Sequence, residues 1–286
     1  MTPFRGVLTA MVTPFADDGS LDTEGARRLA AYLVQNGSHG VVVAGTTGES
    51  ATLSDDEKIE LLQAVLGEIG GDAAVICGTG SNDTRHAAEL TRRASQAGAH
   101  GVLVVAPYYN KPIEAGVRAH FAEVSAAAGE TPVALYNIPA RAVINISPEF
   151  IGSLARDFEN IVALKQANNQ EIGPIDGIAM LAGNDDVFAR CLREGGAGGI
   201  LVASHVVGPK MREIYEASAV DEHDRALGLD RDLADVYAAL AVAPPASTVK
   251  AVLAMRGLIG ETQRLPMVPV AGPPREVLAE LAESAS

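Results

Sequence analysis

Eight short apolar runs recur along the chain, at 7–12, 40–45, 74–78, 101–106, 132–136, 161–165, 179–183 and 199–203, with helical patterning between them. Each run is almost continuously apolar instead of alternating, which is the composition of parallel strands covered on both faces. Helix starts are written into the intervals. Ser54-Asp55-Asp56-Glu57 is a capping box, Ser147 is a cap before a first-turn proline at Pro148, and a helix over 24–35 follows the first run. Parallel neighbours need crossover connections, and eight strands joined by helices favour a closed (β/α)8 TIM barrel over an open doubly wound sheet. After about residue 220 the strand pattern stops, while 221–242, 245–259 and 274–286 pattern as helices. The expected organisation is a barrel over 1–220 that carries the site, and a C-terminal helical region, 221–286, packed on it without forming an independent domain.

In such a barrel the C-terminal strand ends converge on one mouth, so residues far apart in sequence meet there. The sixth run, Ile161-Val162-Ala163-Leu164-Lys165, puts a lone lysine at one of those ends. Burial strips hydration from an ammonium and lowers its pKa from about 10.4; a fall of roughly three units raises the neutral, nucleophilic fraction about a thousandfold. A lysine in that state forms Schiff bases, whereas one that snorkels from the strand end to solvent does not, and this run alone fits both.

The other strand ends narrow the choice. The second run leads into Gly45-Thr46-Thr47-Gly48-Glu49-Ser50, a turn whose amides and two threonine hydroxyls can hold a small carboxylate or serve only to reverse the chain. It lacks the lysine of a phosphate-binding loop, and Gly78-Thr79-Gly80 after the third run lacks the third glycine of a dinucleotide fingerprint. The fourth run meets Pro107-Tyr108-Tyr109-Asn110-Lys111-Pro112. Core packing is the default for Tyr108, yet two consecutive phenols need partners, which directs at least one of them to a site or a subunit interface. The fifth ends in Tyr136-Asn137-Ile138-Pro139-Ala140-Arg141, with a phenol at the strand end and a guanidinium suited to a second carboxylate; taken alone, Arg141 reads by default as half of a surface ion pair. An amine, a phenol, hydroxyls and carboxylate donors on converging strand ends are the parts of a class I aldolase.

Charge and composition exclude other classes. A net charge of −14 argues against nucleic acid and anionic membranes as partners and leaves small molecules. The six histidines have no metal-ligand spacing, which disfavours a metal-dependent aldolase. Cys77 and Cys191 are too few for a disulfide framework and sit in apolar settings, so reduced thiols and a cytoplasmic location are expected. The first run, followed by Asp17-Asp18, makes a poor signal peptide, and no apolar run reaches the roughly 18 residues that span a bilayer.

At these residues the chain resembles the pyruvate-dependent Schiff-base aldolases, the family that includes dihydrodipicolinate synthase and N-acetylneuraminate lyase. The resemblance runs over most of the chain and is carried by Leu8-Thr9-Ala10-Met11-Val12-Thr13-Pro14-Phe15, 45–53, 107–112, 136–141, Lys165 and Arg264-Leu265-Pro266. Two consecutive threonines after Gly45 and an arginine at 141 are similar to the synthase branch, since the lyase branch usually carries Ser-Thr and no arginine there. The resemblance implies an imine between Lys165 and pyruvate, and a proton relay through Tyr136, Thr46 and Tyr109, the last reaching in from a neighbouring subunit. It implies that Thr46 and Thr47 hold the pyruvate carboxylate, that Ile200 offers a backbone carbonyl near the imine, and that Arg141 receives the carboxylate of L-aspartate 4-semialdehyde. The implied reaction is aldol addition to that aldehyde and cyclisation to 4-hydroxy-tetrahydrodipicolinate, towards diaminopimelate and lysine. No external cofactor is implied, because the imine is the electron sink. The implied assembly is at least a homodimer, with a homotetramer open.

The chain departs from the family pattern in places. Gln166-Ala167-Asn168 stands where Glu-Ala or Asp-Ala is usual, and Ala142-Val143 where many relatives have Thr-Gly; both are expected to touch the second substrate's surroundings. The segment from Lys165 to Gly183 is several residues short, which predicts a stunted helix broken at Gly173-Pro174. Glu171 and Glu194 on that side argue against pairing of dimers, because tetrameric relatives place apolar contacts there. Feedback-controlled relatives bind lysine at the dimer interface near Ser50, Ala51, Asn82 and Tyr108 and pair its ammonium with a glutamate. His86 matches that position and Lys58 the one across from it, so weak or absent inhibition by lysine is expected.

Two other functions compete. One is the same chemistry on another aldehyde, of the keto-deoxy sugar acid or N-acetylneuraminate lyase type; Arg141 disfavours it, since a polyol is read by hydroxyls and amides. The other is a non-catalytic barrel that binds a keto acid, which the intact set of Lys165, Tyr136, Thr46 and Tyr109 disfavours.

Overall fold

In the computed structural model, which describes residues 2–284, eight parallel strands close into a barrel in sequence order. They are β1 (Gly6–Ala10), β2 (Gly40–Val43), β3 (Ala74–Gly78), β4 (Gly101–Val105), β5 (Val133–Asn137), β6 (Ile161–Gln166), β7 (Ala179–Ala182) and β8 (Gly198–Leu201), with β1 pairing β8 to complete the ring. The eight apolar runs are these strands, with ends shifted by two residues or fewer. Their lack of alternation has a direct cause. Leu8, Val42, Ile76, Leu103, Ala134, Leu181 and Ile200 fill the barrel interior, while Val7, Val41, Val75, Val102, Leu135, Leu164 and Met180 face outward into the helical layer, so both faces are dry.

One irregularity in the sheet sets the position of Lys165. Val133 pairs with Ile161 but Ala134 pairs with Ala163, so Val162 is an extra residue in β6. Beyond this bulge Tyr136 stands opposite Lys165, and Asn137 opposite Gln166. A one-residue shift exchanges the faces of a strand, so the bulge is what puts Lys165 and not Leu164 beside the inward-facing Tyr136.

The crossovers are α1 (Thr23–Gln35), α2 (Asp55–Ile69), α3 (Thr84–Gln96), α4 (Glu114–Ala128), the single turn α5 (Pro139–Ala142) with α6 (Pro148–Asp157), α7 (Phe188–Arg193) and α8 (Ser204–Ala219). The expected capping box at the start of α2 is present: Glu57 N donates to Ser54 Oγ at 3.2 Å and Ser54 N donates to Glu57 Oε2 at 2.8 Å. Ser147 likewise accepts from Phe150 N ahead of α6.

Two helical expectations need correction. Between β6 and β7 there is no stunted α-helix, only the 3-10 turn Asn169–Glu171 and a bridge from Ile175 to Ile178. Asn168 caps that turn through Gln170 N, and Pro174 has no N–H to carry a helix on. The carboxylates that argued against pairing of dimers are also engaged within the chain, Glu171 with Asn145 Nδ2 at 2.7 Å and Glu194 with Arg190 Nε at 2.9 Å. In the C-terminal region, 221–242 is not one helix but two, α9 (His223–Arg231) and α10 (Ala234–Leu240). The break falls where Leu233 N closes on Asp230 O in a tighter turn and the Leu233 side chain, 1% exposed, enters the core. Beyond it come α11 (Pro245–Met255) and α12 (Pro273–Ser284). Residues 246–253 of α11 are buried throughout, with Pro245 reaching the mouth of the barrel.

Candidate active site

A cavity of about 130 Å3 opens at the C-terminal ends of the strands, and Lys165 lies in its wall. The lysine is 6% exposed, and its Nζ stands 4.4 Å from the centroid of the Tyr136 ring, on the π face. Burial draws its pKa down to about 8; Asp185 pulls the other way and Arg141 adds a smaller push in the same direction as burial. The snorkelling alternative for Lys165 is thereby removed. Tyr136 is buried as well, and desolvation pushes its phenol up to about 12, with Arg141 opposing. At neutral pH the phenol is therefore protonated, able to give a proton and to take it back.

The turn after β2 supplies the opposite wall through Thr46 and Thr47. Its backbone is unusual for residues with side chains, because Ala44 (φ 52°) and Glu49 (φ 55°) are both left-handed. Gly48 lies against the start of the chain, where a Cβ would stand 2.9 Å from Met11 O, and its own carbonyl accepts from Thr13 Oγ1 at 2.6 Å. Glu49 N and Ser50 N are used inside the turn, on Thr46 O and Gly45 O. An anion held here thus relies on the earlier amides and the two threonine hydroxyls. Ile200, fully buried on β8, and Arg141, exposed on α5, complete the set that the structure brings to one cavity: Lys165, Tyr136, Thr46, Thr47, Arg141 and Ile200.

Tyr109 is not in that set. It is 82% exposed, left-handed at φ 74°, and does not line the cavity of its own chain. Tyr108 departs from its default of core packing: it is 38% exposed and lines a second, larger cavity beside the first. Gln166 departs from expectation too. It is fully buried and does not line the cavity; its Oε1 accepts from Asn137 Nδ2 and Asn168 N, on the outer side of the barrel. Cys77 and Cys191 are free and buried, with both thiols pushed up to about 12 by desolvation.

Two residues that bear on the site were not anticipated. Asp185 follows β7 and accepts from Val202 N at 2.9 Å and Ala203 N at 3.0 Å, tying the β7 and β8 ends together. Burial raises its carboxyl to about 6, and it is the acidic group whose charge acts on Lys165. Its place just past a strand end, in Gly183-Asn184-Asp185-Asp186, was the available signal. Lys250, a lone lysine in the apolar stretch of α11, resembles Lys165 in pattern and forms a buried pair with Glu49. Among the described residues, no three His, Cys, Asp or Glu side chains converge as a metal ion would require. No single described helix is long and apolar enough to cross a membrane.

The dihydrodipicolinate synthetase family model matches residues 3–285. A 4-hydroxy-tetrahydrodipicolinate synthase of Parasynechococcus marenigrum is 43% identical over 286 residues, covering 98% of this chain and 94% of that one. The crystal structure of the Cyanidioschyzon merolae synthase with lysine bound superposes with a TM-score of 0.94 at 37% identity, over 100% of this chain and 99% of that one. A chain described as the first monomeric dihydrodipicolinate synthase variant gives a TM-score of 0.94 at 35% identity, over 99% and 97% of the two chains. A match of this length takes in the barrel, the lysine strand and the helices behind the threonine turn alike, and the chain belongs to the dihydrodipicolinate synthetase family.

Proposed function

We propose that this chain condenses pyruvate with L-aspartate 4-semialdehyde to 4-hydroxy-tetrahydrodipicolinate through an imine on Lys165. The observation that carries the reading is the state of that lysine, buried at the barrel mouth with its pKa drawn to about 8. About one amine in ten is then neutral at pH 7, against roughly one in 2,500 for a free lysine. Lys165 Nζ attacks C2 of pyruvate, the adduct loses one water, and the imine forms. Loss of a C3 proton gives the enamine, and C3 adds to the aldehyde carbon, whose oxygen takes up a proton. The amino group of the joined product then attacks C2, closing the ring and releasing Lys165 as the free amine. No external cofactor enters these steps.

Thr46 and Thr47 hold the pyruvate carboxylate, the Ile200 carbonyl lies near the imine, and Arg141 at the rim receives the second carboxylate. Tyr136, Thr46 and Tyr109 of a second copy relay protons. The outward position of Tyr109 supports an assembly of at least two chains. In this reading residues 1–220 are the barrel carrying the site and 221–286 the helical region packed on it, in an enzyme of the cytoplasm. The name borne by the Parasynechococcus relative supports the choice of aldehyde.

Borohydride added with pyruvate tests the imine: peptide mass spectrometry is expected to find the reduced adduct on Lys165 and none in Lys165→Ala. A coupled assay with aspartate semialdehyde, run beside N-acetylmannosamine, tests the aldehyde. Turnover only with N-acetylmannosamine, or an adduct on another lysine, overturns the reading.

A further inference from the structure

The threonine turn is held from behind by charge. Glu49 closes the segment Thr46-Thr47-Gly48-Glu49, and its carboxylate faces the protein interior. Oε1 lies 2.5 Å from Lys250 Nζ and Oε2 accepts from Arg264 N at 3.1 Å. The two side chains are 1% and 0% exposed. Lys250 Nζ also donates to Thr262 O at 2.8 Å and stands 4.3 Å above the Phe15 ring, so the ammonium is surrounded by protein. Two hundred and one residues separate the partners in sequence.

A buried ion pair of this kind is weak as a source of stability, because desolvation offsets most of the attraction, but removing one partner leaves the other charge stranded. Its effect here is geometric. Glu49 is left-handed, a conformation that disfavours any residue with a Cβ, and the turn relaxes unless something holds it. Thr13 Oγ1 holds Gly48 O, and Lys250 with Arg264 N holds the Glu49 side chain. Thr46 and Thr47 lie between these anchors and the cavity.

We propose that the Glu49–Lys250 pair is a positioning device that fixes the Thr46-Thr47 turn in the shape that receives the keto-acid carboxylate. The inference rests on the assignment of Thr46 and Thr47 given above. Lys250 touches no reacting atom; it acts through Glu49 and the turn, and it makes α11 part of the binding site for the first substrate.

The test measures half-saturating pyruvate in borohydride trapping at Lys165, for the parent, Lys250→Met, Glu49→Gln and the double variant. Lys250→Met strands the carboxylate, and Glu49→Gln strands the ammonium while turning an amide donor toward Arg264 N. Each single variant is expected to raise half-saturating pyruvate at least tenfold, with the pH midpoint of trapping unmoved because Lys165 keeps its surroundings. The double variant strands no charge but still lacks the anchor, so it is expected to stay at least tenfold above the parent; a return to within about threefold would show that stranded charge alone raised the value in the single variants and would overturn the positioning role. A merely structural pair would lower the amount of active enzyme at constant half-saturation. Should Lys250→Met fail to fold, the nearly isosteric Glu49→Gln decides. Unchanged half-saturation in the folded single variants overturns the positioning role alone; absence of any Lys165 adduct in the parent overturns the imine reading and the positioning role with it.

Discussion

The Lys165 amine carries opposing demands, since burial that makes it nucleophilic also opposes the charged form it holds over most of the neutral range. Its pKa of about 8 sets a window for activity. Below that value the neutral fraction falls tenfold per pH unit, so the rate of imine formation at low pyruvate is expected to rise about tenfold from pH 6 to 7 and to level off above 8. Rapid-quench borohydride trapping reads this directly, and a flat profile between 6 and 8 would show that another group governs the step. Stability moves with the same group. The folded pKa lies below the unfolded 10.5, so the penalty is fully present below pH 8 and is relieved as pH rises toward 10.5. Lys165→Met is accordingly expected to be more stable than the parent at pH 7, by on the order of 1–3 kcal/mol, with the gap closing by pH 10 in urea titrations. Lys165, Tyr136, Thr46 and Thr47 were legible together and not singly, because each follows or ends an apolar run whose C-terminal end opens on one barrel mouth. Asp185 was not, because its place past a strand end was the one signal and does not separate a carboxylate that caps two backbone amides beyond another strand from one in a solvated loop.

Elements were legible where their ends are encoded locally and not where tertiary contacts decide. The capping box of α2 needed only Ser54 and Glu57, four residues of sequence. That Glu57 has a second role was invisible: Arg264, far along the chain, grips both its oxygens and also donates to Thr52 O and Gly19 O at 2.8 Å. The β6 bulge at Val162 is likewise a product of strand pairing, whereas the helix-free β6–β7 connection was half legible, as a short segment broken at Gly173-Pro174 whose Asn168-capped turn goes no further. The Arg264 hydrogen bonds, opposed by burial, hold the Glu57 carboxyl down to about 2 from an ordinary 4.5. This contribution is present above pH 4.5 and lost as pH falls toward 2. Because the pair is partly solvated, about 1–2 kcal/mol is expected from it after screening. Arg264→Leu should then be less stable than the parent at pH 7 by that amount and show a shallower loss between pH 4.5 and 2.5, measured by denaturant titration at each pH. Equal slopes for the two proteins would mean that the grip is geometric only.

At the scale of the whole molecule, the cavity beside the active site bears on regulation. It encloses about 650 Å3 and is lined by Ser50, Asp55, Lys58, Asn82, His86 and Tyr108 among others, sharing Thr46 and Arg141 with the site itself. The relative from Cyanidioschyzon merolae has lysine bound, and on the resemblance a lysine taken up by this chain is expected in this cavity. Sequence comparison alone gave His86 in place of a glutamate and Lys58 across from it; the structure adds a carboxylate that this comparison overlooked. Asp55 is already occupied. His86 Nε2 lies 2.9 Å from both of its oxygens and Lys58 Nζ 3.3 Å from one, and although burial pushes the Asp55 carboxyl up, these two neighbours hold it below its usual value. A ligand ammonium must displace one of them or sit beside Lys58, which is 8% exposed. Repulsion between two such cations at 4 Å is about 1 kcal/mol in water and about 4 kcal/mol in a protein-like dielectric, while the attraction that would compensate it is already used by Lys58 and His86. Ser50, Asn82 and Tyr108 remain to hold the amino-acid end, so weak binding survives where tight binding does not. Half-inhibition by L-lysine is therefore expected only above about 1 mM, a loss of several kcal/mol relative to micromolar binding. In Lys58→His with His86→Glu, the cation is removed and a carboxylate supplied, and half-inhibition is expected to fall at least tenfold. Submillimolar inhibition of the parent would mean that Asp55 is free to serve the ligand and that its pairing with Lys58 and His86 opens when lysine arrives; no gain in the double variant would mean that Lys58 and His86 are not what weakens binding.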